Sequence, residues 1–147
     1  MVSVWLAGMC EPVNPHGHTV YAVVIKKDAI LLQRTIYMGQ GAGKSLHVAE
    51  MMAAVAALEW LDKNPQYQND HIVVHSNSEL VVNLLARKWQ AHGGMYTAYY
   101  ERAIWLLDYL RPEIEWKFIP AEENQEAIGA CRRLLVKYGA PIREGLL

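Results

Sequence analysis

Apolar and polar residues alternate at the start of the chain. Val2-Ser3-Val4-Trp5-Leu6 has the period of two of a strand. Asn14-Pro15-His16-Gly17 is turn chemistry. His18 to Lys26 is rich in β-branched and aromatic residues and reads as a second strand. Lys27-Asp28 turns the chain back into a third strand, Ala29 to Met38, which closes a hairpin with the second. A glycine-rich loop follows, from Gly39 to Gly43. The period then changes. Val48, Met51, Met52, Val55, Leu58 and Leu61 recur every three or four residues, which predicts a helix over Ser45 to Leu61. Ser45 is its cap, and Asn64-Pro65 ends it. His71 to His75 is a short, nearly continuous apolar strand, the mark of burial on both faces. Helices are predicted over Ser78 to Lys88, Tyr96 to Leu110 and Glu122 to Tyr138, with an alternating strand, Ile114 to Ile119, before the last. The order β-β-β-α-β-α-α-β-α predicts an α/β fold. Its sheet is mixed and five-stranded, an antiparallel meander of three strands with two parallel strands added, and helices cover its faces.

Length and composition narrow the class. The 147 residues fit one domain, 1–147, that can bury a core without staples. Fourteen Lys and Arg against fifteen Asp and Glu give a net charge of -1, which excludes a strongly basic nucleic-acid-coating surface but not a local basic patch. No apolar run is long enough to span a membrane, and the N-terminus lacks the basic region and long apolar core of a signal peptide. The expectation is a soluble cytoplasmic protein. Two cysteines, Cys10 and Cys131, are too few for a disulfide framework or a zinc site built from four cysteines, and no H-E-x-x-H spacing occurs among the six histidines.

Two patterns carry candidate chemistry. Gly39-Gln40-Gly41-Ala42-Gly43-Lys44-Ser45 sits between a strand and a helix, as a phosphate-cradling loop would. Its first glycine is one residue late for that pattern, where Met38 stands, and the strand ending at His75 is followed by Ser76 and Asn77, not an acid. A plain loop entering a helix is the better reading. The second pattern spans the chain in four segments: Ala7-Gly8, Glu50 within Val48 to Ala54, Asn77-Ser78 after the fourth strand, and Glu123-Asn124 to Ile128 at the last helix. In content, order and spacing these segments resemble type 1 ribonuclease H, most closely its archaeal branch, over residues 2 to 138.

That family cuts the RNA strand of RNA/DNA hybrids with two Mg2+ or Mn2+ ions, and the resemblance implies four carboxylate ligands, one per segment. Paired metals clamp the attacking water and the leaving oxygen. Carried over residue by residue, the four positions fall on Ala7, Glu50, Asn77 and Ile128. Only Glu50 is a carboxylate, so the expectation is no metal site, no cofactor and no nuclease activity. The resemblance also marks positions toward nucleic acid: Asn14, Lys44, Ser45 and the basic, Trp-containing handle Arg87-Lys88-Trp89. In the family, amide side chains stand where Leu46 and His47 are, and often Gln where Glu79 is. The reading is therefore a catalytically silent ribonuclease H-like module that retains weak binding to RNA/DNA hybrid or other nucleic acid. One alternative is a protein–protein assembly module or homo-oligomer, supported by the aromatic-rich stretch Met95, Tyr96, Tyr99 and Tyr100. Another is an active hybrid-cutting nuclease, its aspartates replaced deliberately or its ligands relocated to Glu79, Glu122, Glu123 or Glu126.

Overall fold

The computed structural model describes residues 1–143. Strand β1 (Val2–Glu11) lies mid-sheet, antiparallel to β2 (His18–Lys27) and parallel to β4 (His71–Ser76). Strand β3 (Ala29–Gly39) pairs antiparallel with β2 at one edge. Strand β5 (Glu113–Phe118) pairs parallel with β4 at the other. The order β3-β2-β1-β4-β5 is the mixed sheet that the sequence predicts.

Two apolar layers sandwich the sheet, and the alternation of β1 assigns residues to each. Val2, Val4 and Leu6 point toward α1 (Leu46–Lys63), α2 (Glu79–Leu85) and α3 (Thr97–Leu110). Trp5, Ala7 and Met9 point toward α4 (Gln125–Lys137). Helix α1 is enclosed by the sheet on one side and α3 on the other. Its alanines at 49, 53, 54, 56 and 57 are all buried and let it lie close to both.

Several boundaries differ from the sequence reading. Strand β1 continues past Leu6 to Glu11, because its pairing with β2 continues to Glu11–His18. Helix α2 ends at Leu85, three residues before Lys88. Arg87 takes a left-handed conformation (φ 61°), and the N–H groups of Lys88 and Trp89 both turn back to donate to the Asn83 carbonyl. Helix α3 starts at Thr97. Helix α4 starts at Gln125, with a single 3-10 turn, Ala121–Glu123, before it. No helix among the described residues is long and apolar enough to cross a membrane.

Candidate functional site

A cleft of about 480 Å³ opens beside the second half of β1. Gly8, Met9 and Glu11 of β1, Glu50 of α1, Asn77 after β4 and Ile128 and Arg132 of α4 line it, with Asn14, Glu122 and Arg143 at its rim. Its shape depends on Gly8. A Cβ there would lie 2.8 Å from both the Ala49 Cβ and the Glu50 backbone nitrogen, so only glycine lets α1 approach the strand this closely. That approach carries Glu50 into the cleft.

The four positions marked by the resemblance lie in or beside this region. Ala7 and Ile128, 2% and 8% exposed, belong to one apolar cluster with Met9, Val20, Ala22, Ala127, Cys131 and Leu135. The Asn77 Oδ1 accepts from Asn124 Nδ2 at 2.8 Å. The same Asn124 amide nitrogen donates to the Leu6 carbonyl at 2.8 Å, so two acceptors hold it in one orientation. Asn124 is buried, and its Oδ1 has no hydrogen-bond partner among the described residues. The Asn124 amide thus bridges β1, the end of β4 and the entry to α4.

Glu50 is buried, with its Oε1 3.3 Å from His47 Nδ1. The Glu50 side chain, as hydrogen-bond acceptor, raises the His47 pKa above its ordinary value. Partial burial of the ring opposes this, and the carboxylate charge adds to the rise. Burial pushes the Cys131 thiol up to about 12, with the Glu50 charge adding, so it stays protonated at neutral pH. The raised His47 value sets a sign. Its contribution to stability is fully present below the ordinary histidine pKa and is lost as pH rises through the raised one. Glu50→Gln should return the His47 pKa toward about 6.5 and flatten this part of the stability profile. A proton NMR titration of the His47 ring measures it.

Divalent ions need several oxygen ligands, and this donor set does not fit them. Two of the four positions have no ligand atom, one oxygen is held by an amide, and one carboxylate pairs with His47. The carboxylates proposed as replacements do not assemble either. Glu122 lines the cleft from the 3-10 turn, Glu79 and Glu123 are exposed, and Glu126 pairs with Lys26 at 2.7 Å. No three His, Cys, Asp or Glu side chains come together as a metal-sized group among the described residues.

The nucleic-acid candidates fall in two places. Asn14 lines the cleft, but its Oδ1 accepts from the Leu46 N–H at 2.9 Å. Ser45 caps α1 by accepting from the Val48 N–H. The glycine-rich loop is tied to the preceding turn: His16 N–H donates to the Lys44 carbonyl, and Gly41 N–H to the His16 carbonyl. These bonds hold a loop, not an anion cradle, and leave the Lys44 side chain half-exposed. Arg87, Lys88 and Trp89 line a separate groove of about 370 Å³ with Gln90, Tyr100 and Ile104. There Arg87 is paired with Asp108 at 2.5 Å, and Lys88 and Trp89 are exposed.

Sequence reasoning missed Glu11 and Arg143. Glu11 is 1% exposed, and its Oε2 accepts from Arg143 Nε at 2.6 Å. Arg143 also donates to the Cys10 carbonyl. The two residues are 132 positions apart, and no local pattern links them. It missed the Asn77–Asn124 bridge for the same reason.

The strand order, the two covered faces and the placement of the four converging positions define a ribonuclease H-type fold. The structure of LC11-RNase H1 in complex with RNA/DNA hybrid, an enzyme isolated from compost by a metagenomic approach, matches with a TM-score of 0.82 and 20% identity. The match covers 94% of this chain and 99% of that one. The N-terminal RNase H domain of a Mycobacterium tuberculosis protein matches with a TM-score of 0.76 and 19% identity, over 90% and 96% of the two chains. RNase H1 from the halophilic archaeon Halobacterium salinarum matches with a TM-score of 0.72 and 21% identity, over 92% and 98%. No curated protein matches the sequence. The reverse transcriptase-like family model matches residues 13–134, and the chain belongs to that family.

Proposed function

We propose that this protein is a ribonuclease H-fold module that binds nucleic acid without cutting it by the two-metal route. The observation that carries the reading is the changed ligand set, with Ala7 and Ile128 in one apolar cluster and Asn77 bonded to Asn124. In active members of such a fold, crowded carboxylates repel one another until metal arrives. Here an amide bridge and an apolar cluster replace that repulsion, a trade of catalysis for stability. Binding is supported by the neighbouring LC11-RNase H1 complex with RNA/DNA hybrid, and by the exposed Lys88 and Trp89 beside their groove. A lysine there meets a phosphate and an indole stacks on a base. Asn14 and Ser45 hold local structure, so the binding surface is reduced and the affinity for hybrid is low. The compartment in this reading is the cytoplasm, whose reducing conditions suit the two buried free thiols.

The test is a titration of the protein with labelled RNA/DNA hybrid at two salt concentrations with Mg2+ or Mn2+, followed by a denaturing gel. The expected result is salt-dependent binding and an intact RNA strand. Lys88→Ala should lower the salt slope by about one, and Trp89→Ala should weaken binding by roughly 1–3 kcal/mol. Cleavage overturns the silent-site half of the proposal. Absence of binding at low salt overturns the other half.

A further inference from the structure

The polar groups of the cleft are sorted along its length. At one end the buried Glu50 meets His47 through Oε1, and its Oε2 has no partner among the described residues. Asn77 shares that end, because Asn124, which holds it, also reaches the Leu6 carbonyl, two residues before Gly8. The bridge takes the Asn77 oxygen and leaves its Nδ2 as a donor on the cleft wall. Glu122, just before α4, adds its charge to this end. At the other end, Arg132 lines the wall and Arg143 the rim. Arg143 is pinned: its Nε donates to Glu11 and its Nη2 to the Cys10 carbonyl, which leaves Nη1 and the second Nη2 hydrogen for a ligand. Glu11 is 1% exposed and Arg143 46%, so the guanidinium, not the carboxylate, meets an incoming anion.

Both walls set the distance between the ends. Strand β1 runs from Gly8, against Glu50, to Glu11, against Arg143, a rise of roughly 10 Å. Helix α4 runs from Gln125, next to Asn124, to Arg132, again roughly 10 Å. Met9 on the strand and Ile128 on the helix lie between and supply an apolar stretch. The cleft volume, about 480 Å³, is that of a small-molecule site.

A fitting ligand has hydrogen-bond donors at one end, an apolar or planar body, and an anion at the other. Guanosine monophosphate (GMP) has these parts in this order. The guanine edge offers two adjacent donors, N1–H and N2–H, to a carboxylate, and one acceptor, O6, to an amide nitrogen. Adenine and cytosine set a ring-nitrogen acceptor beside a single amine, and uracil flanks its one N–H with carbonyls. Each of these opposes an acceptor to Glu50, which has no proton to donate as a carboxylate. Phosphate oxygens match the paired N–H groups of guanidinium. We propose that the cleft is a binding site for a guanosine monophosphate group, its base between Met9 and Ile128 against Glu50 and Asn77, its phosphate against Arg132 and Arg143. The site is separate from the groove at Trp89, and the proposal does not rest on hybrid binding there.

Calorimetric titration of the whole chain with GMP, AMP, CMP, UMP, guanosine and inorganic phosphate, without metal, tests this. Circular dichroism melting verifies that each variant is folded. The expected result is one GMP per chain, bound about tenfold or more tighter than AMP or guanosine. Glu50→Gln should remove the preference for GMP over AMP. Arg132→Ala should bring GMP down toward the affinity of guanosine and leave guanosine itself unchanged. Arg132 is the variant of choice because removing Arg143 would strand the buried Glu11. The dinucleotide pGpU separates two sources of the ligand: tighter binding than GMP assigns an RNA end, equal or weaker binding the free nucleotide, and both support the site. No GMP binding at millimolar concentration overturns the proposal. So do equal affinities for the four nucleotides, an intact GMP preference in Glu50→Gln, or loss of GMP binding in Trp89→Ala. The hybrid reading is decided separately, by the Lys88 and Trp89 variants.

Discussion

An aspartate introduced at Ala7 or at Ile128 should lower stability by about 3–5 kcal/mol and bring no nuclease activity. Both positions sit in the apolar cluster beneath α4. Ala7 pairs across the sheet with Ala22 among apolar side chains, whereas Ile128 also lines the cleft with Arg132 and Arg143, which would offset part of the cost there. An ionised carboxyl at position 7 loses its hydration among those apolar side chains. Its pKa rises in the folded state, so the folded form holds its proton more tightly than the unfolded one. The deficit is therefore smallest in acid and grows as pH climbs through the raised value. Near this chain length 1 kcal/mol moves the melting temperature by roughly 2–4 °C, so the loss amounts to roughly 6–20 °C at neutral pH. Thermal melts of each variant at pH 4 and pH 7, with and without Mg2+, are the check. A variant as stable as wild type at pH 7, or one stabilised by Mg2+, would show that the ligand geometry survives beneath the altered side chains.

The second large effect is at Gly8. Gly8→Ala puts a methyl 2.8 Å from the Ala49 Cβ and from the Glu50 backbone nitrogen. Neither is the far end of a flexible side chain, so α1 must move off the strand. Overpacking of this kind costs about 1–3 kcal/mol. The displacement should also disturb the His47–Glu50 pair, because Glu50 follows Ala49 on the same helix. The readout is a lower denaturation midpoint together with a changed His47 titration. An unaltered His47 pKa would mean that the helix accommodates the methyl without moving its first turns.

The pattern of hydrophobic residues was enough for the element order and the sheet. The period of two in β2 and the three-and-four spacing in α1 are local facts, and pairing rules then leave few topologies. The terminal turns were less legible. Met9-Cys10-Glu11 does not alternate, and only its ladder with β2 makes it strand. The end of α2 depends on Arg87 adopting a left-handed conformation, which its neighbours in sequence do not require.

The four converging positions were legible because each rides on an element of recognisable pattern. By itself the sequence determined the element order and the fold, since hydrophobic period and order are local properties of the chain. Only the tertiary structure decided what the polar groups at the cleft do. Asn77 is occupied by Asn124, 47 residues away, and Glu11 is held by Arg143 across 132. Asn14 and Ser45 serve the first turn of α1. Trp105 and Tyr109 are exposed while Tyr96, Tyr99 and Tyr100 are partly buried against the core. Hydrogen-bond partners and burial depend on distances between segments remote in sequence, and those exist only once the chain has closed on itself.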